Sequence, residues 1–239
     1  ASIVRKPSAH LEAGEILLQT LQMLPDGALI EPALNTRLFA AHSAEKFGYM
    51  HRHIGEYLAA QWLAQQANTP RKRRRLLAMF QHHGLVPASL RGLYAWLALD
   101  PKLTEEIIAF DPLAVLEYGD TAKFSAAQTR LLFQALTQLT ENNPRQWQLR
   151  SIKARCFAQT DLRADVTQWI ANQKPSAAWL RVLVIESLEA TAIASELRQE
   201  LQQIITNADD IYIARSAAFL SIAKLLSVEE SDALLATLA

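Results

Sequence analysis

The second half of the chain is a nearly continuous series of helical hydrophobic patterns. Leucine, isoleucine and alanine recur at three- and four-residue intervals in residues 177–190, 192–206 and 211–226, which is the spacing of one helix face. All seven glycines lie at or before Gly119, and only Pro144 and Pro175 interrupt the last 120 residues. This half of the chain is therefore predicted to consist of consecutive helices.

Residues typical of helix starts divide these patterns into separate helices. Ser125 with Gln128, and Ser227 with Glu230, have the spacing of a capping box. Asp161 precedes an apolar-periodic run, as an N-cap residue does. Prolines favour the first turn of a helix, and five of them precede helical patterns: Pro70, Pro87, Pro101, Pro112 and Pro175.

Residues 68–239 are predicted to form an array of helix pairs. The helices are roughly 10 to 17 residues long, with short connections, and each pair presents an apolar face to the next. The pattern varies in length and has no rigid signature. The predicted fold class is all-α, a HEAT-like α-solenoid.

Residues 1–67 have a different pattern. A helical period covers residues 9–24, and two short strand-like runs, 37–41 and 46–50, flank the polar residues 42–45. This arrangement predicts a short β-hairpin, followed by an amphipathic helix over residues 54–66. Together they indicate a winged-helix remnant as a first small domain.

Charge and cysteine content restrict the possible partners. The chain has 24 basic and 24 acidic residues, so its net charge gives no reason to expect a nucleic acid or an anionic membrane as partner. Cys156 is the only cysteine, which excludes a disulfide framework and indicates a reducing compartment, the cytoplasm. The longest strongly apolar stretch, residues 177–185, contains Arg181 and is far shorter than the roughly 20 residues of a membrane span.

Residues 47–60 read Phe-Gly-Tyr-Met-His-Arg-His-Ile-Gly-Glu-Tyr-Leu-Ala-Ala. This run resembles the signature that ends the winged-helix domain of NACHT-type STAND ATPases, which are signalling P-loop ATPases. Members of that family often have an aromatic residue where Gly55 stands here. Residues 86–93 and 111–120 look like the helical repeats of bacterial members, some of which guard against phage.

The resemblance implies a role for one residue, His51, as a contact to the phosphates of a bound nucleotide in the intact parent protein. It further implies a regulatory, ligand-sensing chain that holds the ATPase in an autoinhibited state and binds a protein trigger on its helical repeats. The chain contains no Gly-x-x-x-x-Gly-Lys-Ser/Thr loop. ATP or ADP with Mg²⁺ would therefore be held by an ATPase core upstream of Ala1, and the chain itself is expected to need no cofactor and not to be an enzyme.

Other candidate residues favour structural roles. His51 and His53 could share a strand face, but no third metal ligand has a suitable spacing. Adjacent acids at 105–106, 209–210 and 229–230 suit helix starts rather than a catalytic dyad. The five tryptophans fall within helical patterns and are expected to pack in the core: Trp62, Trp96, Trp147, Trp169 and Trp179.

Residues 71–75, Arg-Lys-Arg-Arg-Arg, are five consecutive cations. A solvated helix face is the favoured interpretation, and contact with an acidic partner or a nucleic acid is the alternative.

Two other functions remain open from the sequence. A free-standing helical adaptor would bind a protein partner without any ATPase. A HEAT-like enzyme acting on DNA bases would need basic residues along a concave face and an acid beside an aromatic pocket, and the neutral net charge disfavours it.

Overall fold

The computed structural model describes residues 16–17, 32, 34–41, 46–81, 84–142 and 154–238. The chain divides into two compact units, Ala1–Gln66 and Ala67–Ala239. The boundary predicted from the sequence lies one residue later, after residue 67.

The first unit contains a small antiparallel sheet followed by a helix. Strands β2 (Phe39–Ala41) and β3 (Lys46–Tyr49) form the predicted hairpin, with Phe39 opposite Tyr49. A third strand, β1 (Ile16–Leu17), pairs with the other edge of β3, so the strand order is β1-β3-β2. Helix α1 (Arg52–Gln66) follows directly and contacts β3.

The helix predicted over residues 9–24 is wrong at Ile16 and Leu17. These two residues pair with Phe47 and Lys46, because apolar residues beside an open hairpin edge satisfy their backbone groups by adding a strand. The remainder of that predicted helix lies outside the described residues.

The second unit is built from helices throughout its described residues, which confirms the all-α fold class. Its helices are α2 (Pro70–Phe80), α3 (Arg91–Leu97), α4 (Thr104–Phe110), α5 (Pro112–Tyr118), α6 (Ala126–Asn142), α7 (Arg163–Ala171), α8 (Ala178–Ser187), α9 (Ala192–Glu196), α10 (Arg198–Thr206), α11 (Tyr212–Ile222) and α12 (Val228–Leu238). Short 3₁₀ turns join several of them. The main contacts are between helices close in the chain, such as α3 with α5, α4 with α6 and α10 with α11, as in a repeat array.

The predicted capping boxes are confirmed at both places. Gln128 N donates to Ser125 Oγ at 3.3 Å while Ser125 N donates to Gln128 Oε1 at 2.9 Å. Ser227 N donates to Glu230 Oε2 at 2.8 Å, and Glu230 N to Ser227 Oγ at 3.2 Å. The prediction for Asp161 is wrong, because it lies in a 3₁₀ turn and α7 begins after Leu162 without a side-chain cap.

The two helix pairs α7/α8 and α10/α11 are copies of one structural unit. Asn172 and Asn207 each end a helix and accept a hydrogen bond from the amide two residues on, at 3.2 and 3.1 Å. Arg181 and Arg215 each donate Nε to a carbonyl at the end of the preceding helix, at 2.5 and 2.9 Å. The equivalent residues are 35 and 34 positions apart, a shorter period than the roughly 40–47 residues of HEAT and armadillo repeats.

Ion pairs connect successive parts of this array. Each joins an arginine near a helix start to an acid about one repeat further along the chain: Arg130 with Asp165 at 2.8 Å, Arg163 with Glu196 at 3.3 Å, and Arg198 with Glu230 at 2.5 Å. Exposed pairs of this kind contribute at most about 1 kcal/mol each. Their regular recurrence therefore points to a role in aligning neighbouring repeats more than in stabilising them.

Candidate functional site

His51 lies in the turn that joins β3 to α1. Its side chain is exposed, and its carbonyl accepts a hydrogen bond from Ile54 N at 3.0 Å, which tightens the first turn of the helix. The first turn of α1 contains no acidic residue, whereas Arg52 and His53 add basic groups beside His51. The positive end of a 15-residue helix and three basic side chains therefore coincide here.

Aromatic packing holds this turn in place. The Tyr49 and Phe39 rings lie 5.1 Å apart between their centroids, and Gly55 lies directly against Tyr49. A Cβ added at Gly55 would come within 2.5 Å of Tyr49 Cδ2, closer than non-bonded carbon atoms approach one another. This contact explains why glycine stands at position 55.

Glu56 is a member of this site that the sequence analysis did not single out. Its side chain is only 10% exposed, and its Oε1 accepts from Arg52 Nε at 2.7 Å. Its Oε2 lies 3.4 Å from His53 Nδ1 and has no hydrogen-bond donor within bonding geometry in the described part of the chain. Glu56 thus anchors the two residues that follow His51. The feature of the sequence that could have marked Glu56 as a site residue is its position within the run of residues 47–60.

His51 and His53, the pair considered as metal ligands, lie in the turn before α1 and in the first turn of α1. Within the described residues, no group of three or more histidine, cysteine, aspartate or glutamate side chains could hold a metal ion. His53 is directed instead to Glu56.

The basic cluster, Arg71, Lys72, Arg73, Arg74 and Arg75, lies in the N-terminal half of α2. Thr69 caps this helix, with its Oγ1 accepting from Lys72 N at 3.3 Å, and Pro70 occupies the first turn. Leu76, Leu77 and Phe80 form the buried face. Arg73 is half-buried and the other four cations are exposed.

The array also contains an open pocket of about 360 Å³ between the end of α8 and α11. Its hydroxyls are engaged with the backbone, since Ser187 Oγ donates to Val184 O at 2.6 Å and Ser221 Oγ to Ile185 O at 2.7 Å. Partial burial raises the pKa of the Glu186 carboxyl on its wall. None of these lining groups pairs a nucleophile with a base. We therefore interpret the pocket as a groove between repeats.

A second pocket of about 370 Å³ is bordered by Arg181. Arg181 Nη1 and Nη2 donate to the two carboxylate oxygens of Asp210, both at 2.6 Å, and the two side chains are 2% and 3% exposed. Asp209 and Asp210 were predicted to favour a helix start, but α11 begins at Tyr212 with no acidic residue in its first turn. Asp210 forms a buried ion pair instead.

The remaining chemically distinctive residues are structural. Burial raises the pKa of the Cys156 thiol to about 11, so it is protonated at neutral pH and is a poor nucleophile. Trp169 stacks on Phe133 with ring centroids 4.0 Å apart. The prediction that Trp62 packs in the core is wrong, because its side chain is 60% exposed on α1. Trp147 lies outside the described residues.

Comparisons with family models, with curated proteins and with solved structures found no match to this chain. In the part of the chain that the structure describes, no helix has the length and apolar character needed to cross a membrane.

Proposed function

We propose that this chain is the regulatory and ligand-sensing part of a NACHT-type STAND signalling ATPase, acting in the cytoplasm. The observation that carries the proposal is the position of His51, exposed at the positive end of α1 inside the sequence run that resembles the family signature. An exposed imidazole beside a helix N-terminus is suited to donate a hydrogen bond to a phosphate.

The nucleotide site itself would lie in an ATPase core upstream in the parent protein. Among the residues present, His51 fits as one phosphate contact, while a loop that cradles phosphates and acids that hold Mg²⁺ are not recognisable in this sequence. When bound, the nucleotide supplies the phosphate that joins the two parts. The role of this chain would be to contact that phosphate. Gly55 and Glu56 pack against or bind the residues on either side of His51, which positions the backbone from which its imidazole extends.

The helical array would supply the sensing surface. Repeat arrays bind proteins along extended faces, and a protein trigger that binds better to an open arrangement would release the hydrogen bond from His51. In this proposal the chain performs no catalysis of its own.

A free-standing adaptor is the second candidate. It is favoured by the compact second unit, which has its own core from Ala67 onward. It requires no nucleotide and assigns His51 no function.

Retention of ADP by the parent protein tests the first candidate. His51→Ala removes one hydrogen bond to a charged group, worth about 1.5–3 kcal/mol, so ADP should dissociate at least about tenfold faster. His53→Ala is the matched control, because it removes a neighbouring exposed imidazole and should leave the rate within about twofold. Equal ADP release from wild-type and His51→Ala proteins would contradict the assignment of His51.

A further inference from the structure

The exposed face of α2 is a charged surface that the proposed function leaves unassigned. The buried residues Leu76, Leu77 and Phe80 fix the rotation of the helix, and Phe80 packs on Tyr94 with ring centroids 5.5 Å apart. Arg71, Arg75 and Met79 are spaced four residues apart, so they form one stripe on the outer side. Lys72 lies beside this stripe, and the four residues are called the basic face below.

In the described part of the chain, no carboxylate pairs with the cations of the basic face. Within the described residues, none of the five cations at 71–75 forms an ion pair, whereas Arg91, Arg130, Arg163, Arg181, Arg198 and Lys224 each have a carboxylate partner. The first turn of α2 contains no acidic residue. Cations at the N-terminal end of a helix and like charges four residues apart both oppose helix formation. An anionic partner would remove both penalties.

The charge of the remaining chain restricts what this partner can be. Without the five cations of the cluster, 19 basic residues stand against 24 acidic ones, a net charge of −5. An extended polyanion such as a nucleic acid duplex would meet repulsion beyond the cluster. A short acidic segment would contact the cluster alone.

Met79 distinguishes further between anionic partners. It is 71% exposed and continues the stripe of Arg71 and Arg75 toward the end of α2. A phosphate backbone offers no apolar surface to this side chain, whereas a protein segment with carboxylates at one end and an apolar residue at the other complements the whole stripe.

We propose that the basic face of α2, formed by Arg71, Lys72, Arg75 and Met79, is a docking surface for an acidic amphipathic segment of a partner protein. This inference rests on the proposed sensing role of the array and gives the chemical class of the trigger. Salt bridges to the cluster would set the rate and specificity of association, and burial of Met79 would slow dissociation.

Fluorescence anisotropy on the full chain tests this docking surface. The probe is a labelled helical peptide of glutamate, alanine and leucine, with glutamates four residues apart and a leucine one turn beyond. Binding should weaken about tenfold or more in Arg71→Glu/Arg75→Glu and about threefold in Met79→Ser, and it should weaken as salt rises. Arg71→Gln/Arg75→Gln tests the same loss with milder substitutions if the charge reversal perturbs folding.

The matched control is Lys102→Glu/Lys174→Glu, which changes the net charge equally at two exposed lysines outside α2. It should bind the peptide within about twofold of wild type. A glutamine version of the peptide should bind no variant measurably.

Three results would overturn the proposal. One is equal peptide binding by wild type and the Arg71/Arg75 variants. Another is that the wild-type chain binds a 20-base-pair duplex as tightly as the peptide or more tightly, and that the Arg71/Arg75 variants lose this binding. That result would assign the face to nucleic acid. The third is preferential binding of phosphatidylserine vesicles, which would assign it to a membrane surface. ADP retention and its dependence on His51 are measured in a separate experiment. Failure of the docking proposal would therefore not decide whether the nucleotide proposal is correct.

Discussion

Arg181 and Asp210 form the most deeply buried charged contact described in the structure. Their side chains are 2% and 3% exposed, and the guanidinium also donates to the carbonyl of Ile170. Burial alone would raise the pKa of Asp210, but hydrogen bonds from Arg181, its charge and a backbone amide outweigh burial and hold that pKa below its usual value. Asp210 is therefore ionised in the folded chain at neutral pH.

Asp210→Asn should lower the free energy of unfolding by about 3–5 kcal/mol at pH 7, because it leaves the Arg181 charge buried without a partner. Asp209→Asn, the exposed neighbour, should change it by less than about 0.5 kcal/mol. The measurement is urea unfolding followed by circular dichroism. A loss below about 1 kcal/mol for Asp210→Asn would contradict a tightly coupled pair.

The same pair makes the stability dependent on pH. The pKa of Asp210 is lower in the folded chain than in the unfolded chain. The ionised side chain therefore stabilises the fold at pH values above the unfolded pKa of about 3.9, and this stabilisation is lost as pH falls through the folded-state pKa. Wild-type stability should therefore approach that of Asp210→Asn below about pH 4.

At the scale of single residues, local signals were predictable and distant partners were not. Ser125 with Gln128 could be predicted because a capping box lies within one helical turn. Asp210 was interpreted as one of two adjacent acids at a helix start. Its true partner, Arg181, is 29 residues away and cannot be recognised from the local sequence. Glu56 likewise became recognisable only through its contacts to Arg52 and His53.

Among the secondary-structure elements, the presence of helices was predicted more accurately than the residues at which they begin and end. The pattern over residues 192–206 is divided at Leu197 into α9 and α10, and residues 177–190 form α8 only over Ala178–Ser187. Strand β1 was missed because Ile16–Leu17 pairs with residues about 30 positions later, and period alone does not reveal such a partner.

The turn after α8 contains a conformation that alanine adopts at a cost. Ala190 has φ of 57°, which costs an L-residue about 1–2 kcal/mol relative to glycine. Ala190→Gly relieves this cost but gives the unfolded chain more freedom, worth about 0.4–1 kcal/mol. We expect a net gain of about 0.5–1 kcal/mol in the free energy of unfolding.

Ala78→Gly, at an exposed position inside α2, is the matched control and should lose about 0.5–1 kcal/mol. Urea unfolding of both variants gives the comparison. Destabilisation of Ala190→Gly as large as that of Ala78→Gly would show that the left-handed turn does not strain the native chain.

The two-unit division and the all-helical array could be predicted from hydrophobic period, glycine distribution and proline positions. The spacing of 34–35 residues between the helix pairs α7/α8 and α10/α11 could not be predicted. Their equivalent residues, Asn172 with Asn207 and Arg181 with Arg215, are recognised only through the hydrogen bonds they make. The exposure of His51 and the uncompensated charge of α2 also depend on the folded arrangement. The nucleotide proposal uses the exposure of His51 together with the sequence run at residues 47–60, and the docking proposal uses the charge of α2.

The coding sequence upstream of Ala1 tests the central claim most directly. The account predicts a phosphate-binding loop followed by a strand ending in acidic residues, within about two domains or roughly 300 residues. A start codon at or near Ala1 would contradict it, and would leave a helical binding module in which His51 has no nucleotide to contact.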